Sequence, residues 1–73
     1  GTDVKISPLA RKLFPYSVEC KNVEALNIWN ALSQSEANAR ENTDPILIFK
    51  RNRSKTYVAM DFELFLNLIK KLS

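Results

Sequence analysis

The sequence Tyr-Ser-Val-Glu-Cys-Lys at positions 16–21 decides the fold, because its polarity alternates with a period of two residues. Alternation of this kind is typical of a β-strand whose two faces meet different surroundings. One predicted face carries Tyr16, Val18 and Cys20. The other carries Ser17, Glu19 and Lys21. The stretch therefore predicts a carboxylate and an ammonium group side by side on a single surface.

A short strand and a short helix are predicted before this stretch. Residues 3–6 (Asp-Val-Lys-Ile) alternate in polarity in the same way. Ser7 and Pro8 follow as an N-cap and a first helical residue. The helical turn predicted for residues 9–14 ends before Pro15, because a residue that precedes proline disfavours the α conformation.

A longer helix is predicted for residues 24–41, where apolar residues recur with helical spacing. Asn22 and Asn27 are both suitable N-caps, and the turn-forming residues 42–45 end the helix. The predicted apolar stripe consists of Ile28, Trp29, Leu32 and Ala39, with Ala25 and Leu26 nearby. Its position favours a core role for Trp29 over stacking on a nucleic-acid base.

The rest of the chain predicts a hairpin and a closing helix. Residues 46–50 form an apolar run typical of a buried strand, residues 51–54 a turn, and residues 55–60 the return strand. Asp61 then caps an amphipathic helix, whose apolar residues are Phe62, Phe65, Leu66, Leu68 and Ile69. The order of elements predicts an α+β (mixed α/β) fold in one domain, residues 1–73.

Composition limits the chemistry that the chain can perform. It has no histidine, which excludes His-based catalysis and argues against a zinc site. Cys20 is the one cysteine, so an internal disulfide is excluded. No apolar run approaches the roughly 20 residues that span a bilayer. Any bound metal is therefore predicted to be oxygen-ligated, as Mg²⁺ and Mn²⁺ are.

The net charge of +3 is unevenly distributed, with +2 in residues 1–21, −3 in residues 22–49 and +4 in residues 50–73. The basic ends attract a phosphate-bearing partner if they share one face. Four cations crowd the predicted hairpin: Lys50, Arg51, Arg53 and Lys55. They predict contacts with a DNA backbone, the alternative being an ordinary solvated turn. Three more cations extend the predicted DNA-binding surface: Lys5, Arg11 and Lys12.

Tyr16 and Tyr57 are predicted to lie in the core.

The strongest candidate site combines Asp3 with Glu19, Cys20 and Lys21. Hydrolysis of a phosphodiester at neutral pH needs a metal to generate hydroxide and to balance charge. The two carboxylates can ligate that metal, with the Cys20 carbonyl as a third oxygen ligand. Lys21 can orient the attacking water or neutralise developing charge. The Glu-x-Lys spacing is common by chance, and its ordinary interpretation is a solvated strand face with a salt bridge.

The sequence on either side of these residues resembles the phage branch of the PD-(D/E)xK nuclease superfamily. Members of this branch are similar to Holliday-junction resolvases. The resemblance is carried first by Gly-Thr-Asp-Val-Lys-Ile-Ser-Pro-Leu-Ala-Arg (1–11) and Phe-Pro-Tyr-Ser-Val-Glu-Cys-Lys-Asn (14–22). It continues through Leu-Asn-Ile-Trp-Asn-Ala-Leu-Ser-Gln-Ser-Glu (26–36). Ile-Leu-Ile-Phe-Lys-Arg-Asn-Arg (46–53) and Tyr-Val-Ala-Met (57–60) look like the family's hairpin.

The resemblance implies a restriction-endonuclease-like core, a short mixed sheet flanked by helices. It implies catalytic roles for Asp3, Glu19, Lys21 and Gln34, the last on a helix beside the site. It also implies Mg²⁺- or Mn²⁺-dependent hydrolysis of DNA, with branched DNA as the expected substrate. Such resolvases act as dimers, here in the cytoplasm of a phage-infected or bacterial cell.

The family core opens with a helix before its first strand, whereas this chain begins with glycine two residues before Asp3. We therefore expect a fragment that lacks the N-terminal helix, and a complementing chain or a homodimer to complete it. Two other classes of function stay open at this stage. One is a non-catalytic nucleic-acid-binding or assembly module with the same fold. The other is a structural interaction domain that uses the Phe-rich closing helix.

Overall fold

The computed structural model describes residues 15–72, so the strand and short helix predicted for residues 3–14 lie outside the described part. Its elements, in chain order, are β1 (Tyr16–Asn22), α1 (Ile28–Asn38), β2 (Asp44–Lys50), β3 (Tyr57–Ala59) and α2 (Phe62–Leu72). A three-stranded mixed sheet with two helices confirms the predicted α+β fold, and it is compatible with a restriction-endonuclease-like core.

The three described strands form one sheet in the order β1-β2-β3. β1 runs parallel to β2, and β3 runs antiparallel to it. Parallel neighbours need a crossover connection, and α1 supplies it. β2 carries the most buried side chain of the described part, because Leu47 has 0% of its surface exposed. The predicted buried strand is confirmed, although it begins at Asp44, two residues earlier than expected.

Helix α1 is shorter than the helix predicted for residues 24–41. It begins at Ile28, because the side chain of Asn27 caps it by accepting a hydrogen bond from Asn30 N at 3.1 Å. It ends at Asn38, where Ala39 takes an extended conformation and Arg40 N donates to Ser17 Oγ at 2.8 Å. Of the two predicted caps, Asn27 is the correct one.

The predicted apolar stripe of α1 only partly describes the face that packs on the sheet, since Ile28 and Leu32 are half-buried. The buried residues of α1 are Ala31 and Ser35, which are small and one helical turn apart. Trp29 is 76% exposed, so its predicted core position is wrong. The reason is geometric, since two residues correspond to about 200° around a helix and Trp29 therefore lies opposite Ala31. Small side chains also allow the helix to lie close to the strands.

The hairpin is confirmed, but its return strand spans three residues, Tyr57–Ala59, rather than the predicted 55–60. Residues 51–56 are held as a wider turn, in which Ser54 N donates to Arg51 O at 3.2 Å. The predicted core position of Tyr57 is also wrong, because its side chain is 53% exposed. Its ring instead packs against Phe49, with 6.0 Å between the ring centroids. Tyr16 is half-buried.

Helix α2 is capped as predicted, since Leu64 N donates to Asp61 Oδ2 at 3.1 Å. None of its residues is buried. One apolar stripe of the helix is exposed along its whole length, and it comprises Phe62, Phe65, Leu66, Ile69 and Leu72. Within residues 15–72, neither helix has the length and apolar character needed to cross a bilayer.

Candidate active site

Two rows of side chains cross the sheet on the face that α1 covers. The strand register gives the first row as Glu19, Leu47 and Ala59. Two positions along the strands, the second row consists of Lys21, Phe49 and Tyr57. Residues two apart on a strand share a face, so both rows belong to one surface. The structure thus places Glu19 and Lys21 side by side, with Lys21 nearer the hairpin.

The carboxylate of Glu19 is held by α1 through one of its two oxygens. Asn38 Nδ2 donates to Glu19 Oε1 at 3.3 Å. The other oxygen, Oε2, is buried and has no hydrogen-bond partner among the described residues. A buried acceptor without a partner costs about 1–3 kcal/mol, and more when it is charged. A cation ligated by Oε2 would offset that cost, so this oxygen is one that could hold a metal ion.

A small cavity of about 110 Å³ lies next to this carboxylate. It is lined from the sheet by Ser17, Val18 and Glu19, and from α1 and the loop after it by Ser35, Asn38 and Arg40. The volume is sufficient for several water molecules or for a partly hydrated cation. Its lining is mostly polar, as a hydrated oxygen-ligated ion requires.

Arg40 joins the loop after α1 to the beginning of β1 through two hydrogen bonds. Its backbone N–H donates to Ser17 Oγ, and its guanidinium Nη2 donates to the Tyr16 carbonyl at 3.1 Å. Thr43 Oγ1 donates to the Arg40 carbonyl at 2.6 Å and also bonds to Ser17 Oγ. This set of bonds fixes the wall of the small cavity and places a guanidinium group beside it.

Sequence reasoning missed Asn38, Ser35 and Arg40, all of which line this cavity. The sequence signal for the first two was their spacing, because Ala31, Ser35 and Asn38 recur at helical intervals on one face. Gln34, the predicted helical site residue, is exposed on α1. Asn38, one turn later, is the α1 residue whose amide contacts Glu19. A role for Gln34 stays a prediction.

The predicted metal ligand Asp3 lies outside the described residues, as do the predicted DNA contacts Lys5, Arg11 and Lys12. Within residues 15–72, no group of three or more acidic or cysteine side chains is positioned to hold a metal ion. The predicted site has two carboxylates and a backbone carbonyl, and one of those carboxylates belongs to Asp3.

The orientation of the Cys20 carbonyl follows from the hydrogen bonds at the two ends of β1. Asp44 N donates to the Pro15 carbonyl, and Val23 N donates to the Lys50 carbonyl, each at 3.2 Å. Odd-numbered residues of β1 therefore point their backbone groups toward β2. Since these groups alternate along a strand, the Cys20 carbonyl points toward the opposite edge of β1. Its half-buried side chain lies on the face away from Glu19.

The basic hairpin lies at the end of the sheet that carries Lys21. Lys50 ends β2 and pairs with Asn22, the residue after Lys21. The turn is joined to the loop after β1, because Asn52 N donates to Glu24 Oε2 at 3.1 Å. The three cations beyond the strand are exposed, namely Arg51, Arg53 and Lys55. They are free of strand packing and accessible to a polyanion.

A family model matches nearly the whole chain. The family model described as "Phage putative PDDEXK endonuclease" matches residues 3–73 of the chain. No curated protein and no solved structure matches it significantly.

The unpartnered oxygen of Glu19 leads to a prediction about stability. We expect Glu19→Leu to raise the free energy of unfolding by about 1–2 kcal/mol without divalent metal, because it removes a buried acceptor that lacks a partner. Ser17→Ala is the matched control on the same face, and it lowers that free energy by about 1 kcal/mol because it loses hydrogen bonds to Arg40 and Thr43. Urea unfolding measures both. A loss of stability in Glu19→Leu similar to that in Ser17→Ala means that the carboxylate is structural.

Proposed function

The chain belongs to the phage PDDEXK endonuclease family, and from this membership we propose that it hydrolyses phosphodiester bonds in DNA with a divalent metal ion. The observation that carries the proposal is the buried Oε2 of Glu19, which lacks a partner in the described part of the chain. Lys21 lies on the same face of β1. A buried carboxylate oxygen without a partner in the described part of the chain, next to an ammonium group, is better explained by a nuclease site that binds a cation than by a purely structural role of the strand.

In the proposed site, Asp3, Glu19 and the Cys20 carbonyl hold Mg²⁺ or Mn²⁺. These donors are all oxygens, which is the set that both ions prefer. When bound, the ion balances the negative charge that develops on the phosphate. Asn38 keeps the Glu19 carboxylate in place through Oε1. Lys21 orients the attacking water and neutralises charge, and Gln34 supports the site from α1.

The proposed catalytic residues can be tested by DNA cleavage. We expect the chain to cut four-way DNA faster than linear duplex with Mg²⁺ or Mn²⁺, and to cut neither with EDTA. Glu19→Gln and Lys21→Ala should each reduce the cleavage rate by about 100-fold or more, since each removes charge stabilisation at the transition state. Glu36→Gln, on the exposed side of α1, and Lys71→Ala, near the end of α2, are the matched controls and should retain the rate.

Three outcomes separate the alternatives. Cleavage that survives Glu19→Gln or Lys21→Ala contradicts the assigned site. Equal rates on four-way and linear DNA leave a nuclease but contradict the preference for branched DNA. Binding of DNA without cleavage under all conditions favours the non-catalytic nucleic-acid-binding or assembly module.

We propose that the hairpin cations hold the DNA backbone. Their exposure and their position at the Lys21 end of the sheet support this role. Each phosphate contact releases counterions and steepens the dependence of affinity on salt. The double variant Arg51→Ala/Arg53→Ala should therefore lower the slope of log K against log salt concentration by about 2. Lys71→Ala is the control, and an unchanged slope in the hairpin variant removes the hairpin from the interface.

We also propose that the exposed stripe of α2 packs against a second copy of the chain. Contiguous exposed apolar residues on a soluble protein mark interaction sites. Two α2 helices in antiparallel register are complementary in charge. Glu63 and Lys70 are two helical turns apart on one flank of the stripe, so Glu63 of each copy meets Lys70 of the other.

Sedimentation velocity tests this pairing. Glu63→Lys should weaken the dimer, because like charges then meet at both ends of the interface. Combining it with Lys70→Glu should restore the dimer, since the opposite charges meet again with their positions exchanged. A wild-type chain that stays monomeric with and without four-way DNA contradicts the proposal, and so does a double variant that fails to recover.

A further inference from the structure

A larger cavity, of about 440 Å³, opens between the loop that follows β1 and the β2–β3 hairpin. Its walls are mainly apolar and come from Val23, Ala25, Leu26, Phe49 and Tyr57. The volume lies within the range of sites for small organic molecules, roughly 300–1,000 Å³. None of the proposed catalytic residues lines it, so its shape needs a separate explanation.

The aromatic pair forms one wall of this cavity. Phe49 and Tyr57 pack with 6.0 Å between ring centroids and 30° between ring planes. Tyr57 is nevertheless 53% exposed, although it lies on the same face as fully buried Leu47. A half-exposed aromatic ring supported by a second ring is the usual platform for a flat ligand, and nucleic-acid bases stack on such rings whatever their sequence.

The lining of the cavity also contains charged residues. Arg51 lines it from the start of the turn, and Glu24 is the one acidic residue of the lining. Lys50 borders the cavity at the end of β2, but its side chain alternates to the face opposite Phe49. The Glu24 carboxylate is occupied in part by the backbone of the hairpin, since its Oε2 accepts from Asn52 N. The cavity thus joins an apolar interior to a rim that carries the Arg51 guanidinium. A nucleotide has the same arrangement, a flat base attached to a phosphate.

The cavity also lies close to the proposed cleavage site. Lys21, Phe49 and Tyr57 form one row across neighbouring strands on one face. Adjacent strands are about 4.8 Å apart, so Tyr57 lies roughly 10 Å from Lys21 along that row. A DNA strand whose phosphate lies at Glu19 and Lys21 therefore passes the mouth of the cavity with a neighbouring nucleotide.

We propose that this cavity binds the base of an unpaired nucleotide that flanks the cleaved phosphate. A base within an intact duplex is stacked on both sides and cannot enter, so the occupant is an extruded or unpaired base. The inference rests on the proposed nuclease function for its DNA substrate, and it adds a reason why distorted DNA is preferred. Tyr57 stacks on the base with Phe49 packed against it, and Arg51 holds the phosphate.

The experiment compares three DNA duplexes that differ at one position. The first carries a single extrahelical adenine, the second carries an abasic nucleotide at that position, and the third is fully paired. Dissociation constants are measured by fluorescence anisotropy with EDTA, so that cleavage does not contribute. We expect the first duplex to bind about 5- to 150-fold more tightly than the second, the range that one base–aromatic stack provides.

Four variants assign the preference to the cavity. Tyr57→Ala removes the platform, and Ala25→Leu fills the cavity without removing packing, so both should abolish the preference for the adenine over the abasic nucleotide. Tyr57→Phe keeps the ring and should retain it. Val58→Ala is the matched control, because Val58 is exposed on the opposite face of the same strand and should also retain the preference.

A second measurement needs no duplex. Deoxyadenosine monophosphate should perturb the NMR amide signals of Phe49 and Tyr57 in the chain, whereas deoxyribose 5-phosphate should perturb that of Arg51 and leave those of the two aromatic residues unchanged. Perturbation of the aromatic residues by both ligands, or by neither, overturns the inference.

The outcomes distinguish this inference from the proposed function. Equal wild-type affinity for the adenine and abasic duplexes overturns the base site, and Glu19-dependent cleavage in the same preparation leaves the nuclease intact. An equal loss of affinity for both duplexes in Tyr57→Ala also overturns it. A preference for the adenine that requires Tyr57, in a chain that never cleaves, supports the base site and contradicts the nuclease. Binding to none of the three duplexes overturns the base site, and Glu19-dependent cleavage of four-way DNA with metal then decides the nuclease separately.

Discussion

The burial of Leu47 on the central described strand is the constraint on which the other elements depend. A fully buried leucine contributes about 1.5–3 kcal/mol relative to an exposed one, which is a large share of the stability of a small domain. This burial requires β1 on one side of β2, β3 on the other and α1 above. The same arrangement sets Glu19 beside Leu47, directly under the helix. The packing that buries Leu47 therefore also positions the candidate site.

This closeness has an energetic cost. The site carboxylate lies on the face where apolar side chains are the most stabilising, and one of its oxygens is left without a partner in the described part of the chain. A protein under selection for stability alone has no reason to keep a carboxylate there. In the proposed function the reason is a divalent cation, which would supply the missing interaction when it binds. Asn38 bonds to the other oxygen of the carboxylate, and Arg40 bonds to Ser17 on the same face of β1.

The hairpin end of the sheet has a different character. The side chains here are exposed to solvent rather than packed in a core. Cations lie on the turn, and the half-exposed ring of Tyr57 lies next to them. The turn is joined to the loop after β1 through Glu24, so the two walls of the larger cavity are held at a fixed separation. The acidic site and the basic, aromatic surface share one face of one small sheet. In the proposed function, a strand of nucleic acid contacts both at once.

Local sequence determined a good part of this molecule. The period of two residues at positions 16–21, the capping residue Asp61 and the turn after Lys50 each act through neighbours in sequence, so they could be predicted without a structure. They gave the α+β class and the placement of Glu19 and Lys21 on one face. For the cap of α1, the sequence left Asn22 and Asn27 as alternatives.

Only the tertiary structure decided which side of each element is buried and which residues meet across the fold. Trp29 was predicted to be in the core because apolar periodicity does not say which stripe a sheet will cover, and the small stripe of Ala31 and Ser35 packs closer. Asn38 donates a hydrogen bond to Glu19, and the exposed ring of Tyr57 packs against Phe49. Both contacts join residues that are not neighbours in sequence. Such contacts depend on how the strands are registered and where the helix crosses them. That is why the alternating strand specified the carboxylate and the lysine, but the folded chain alone determined what surrounds them.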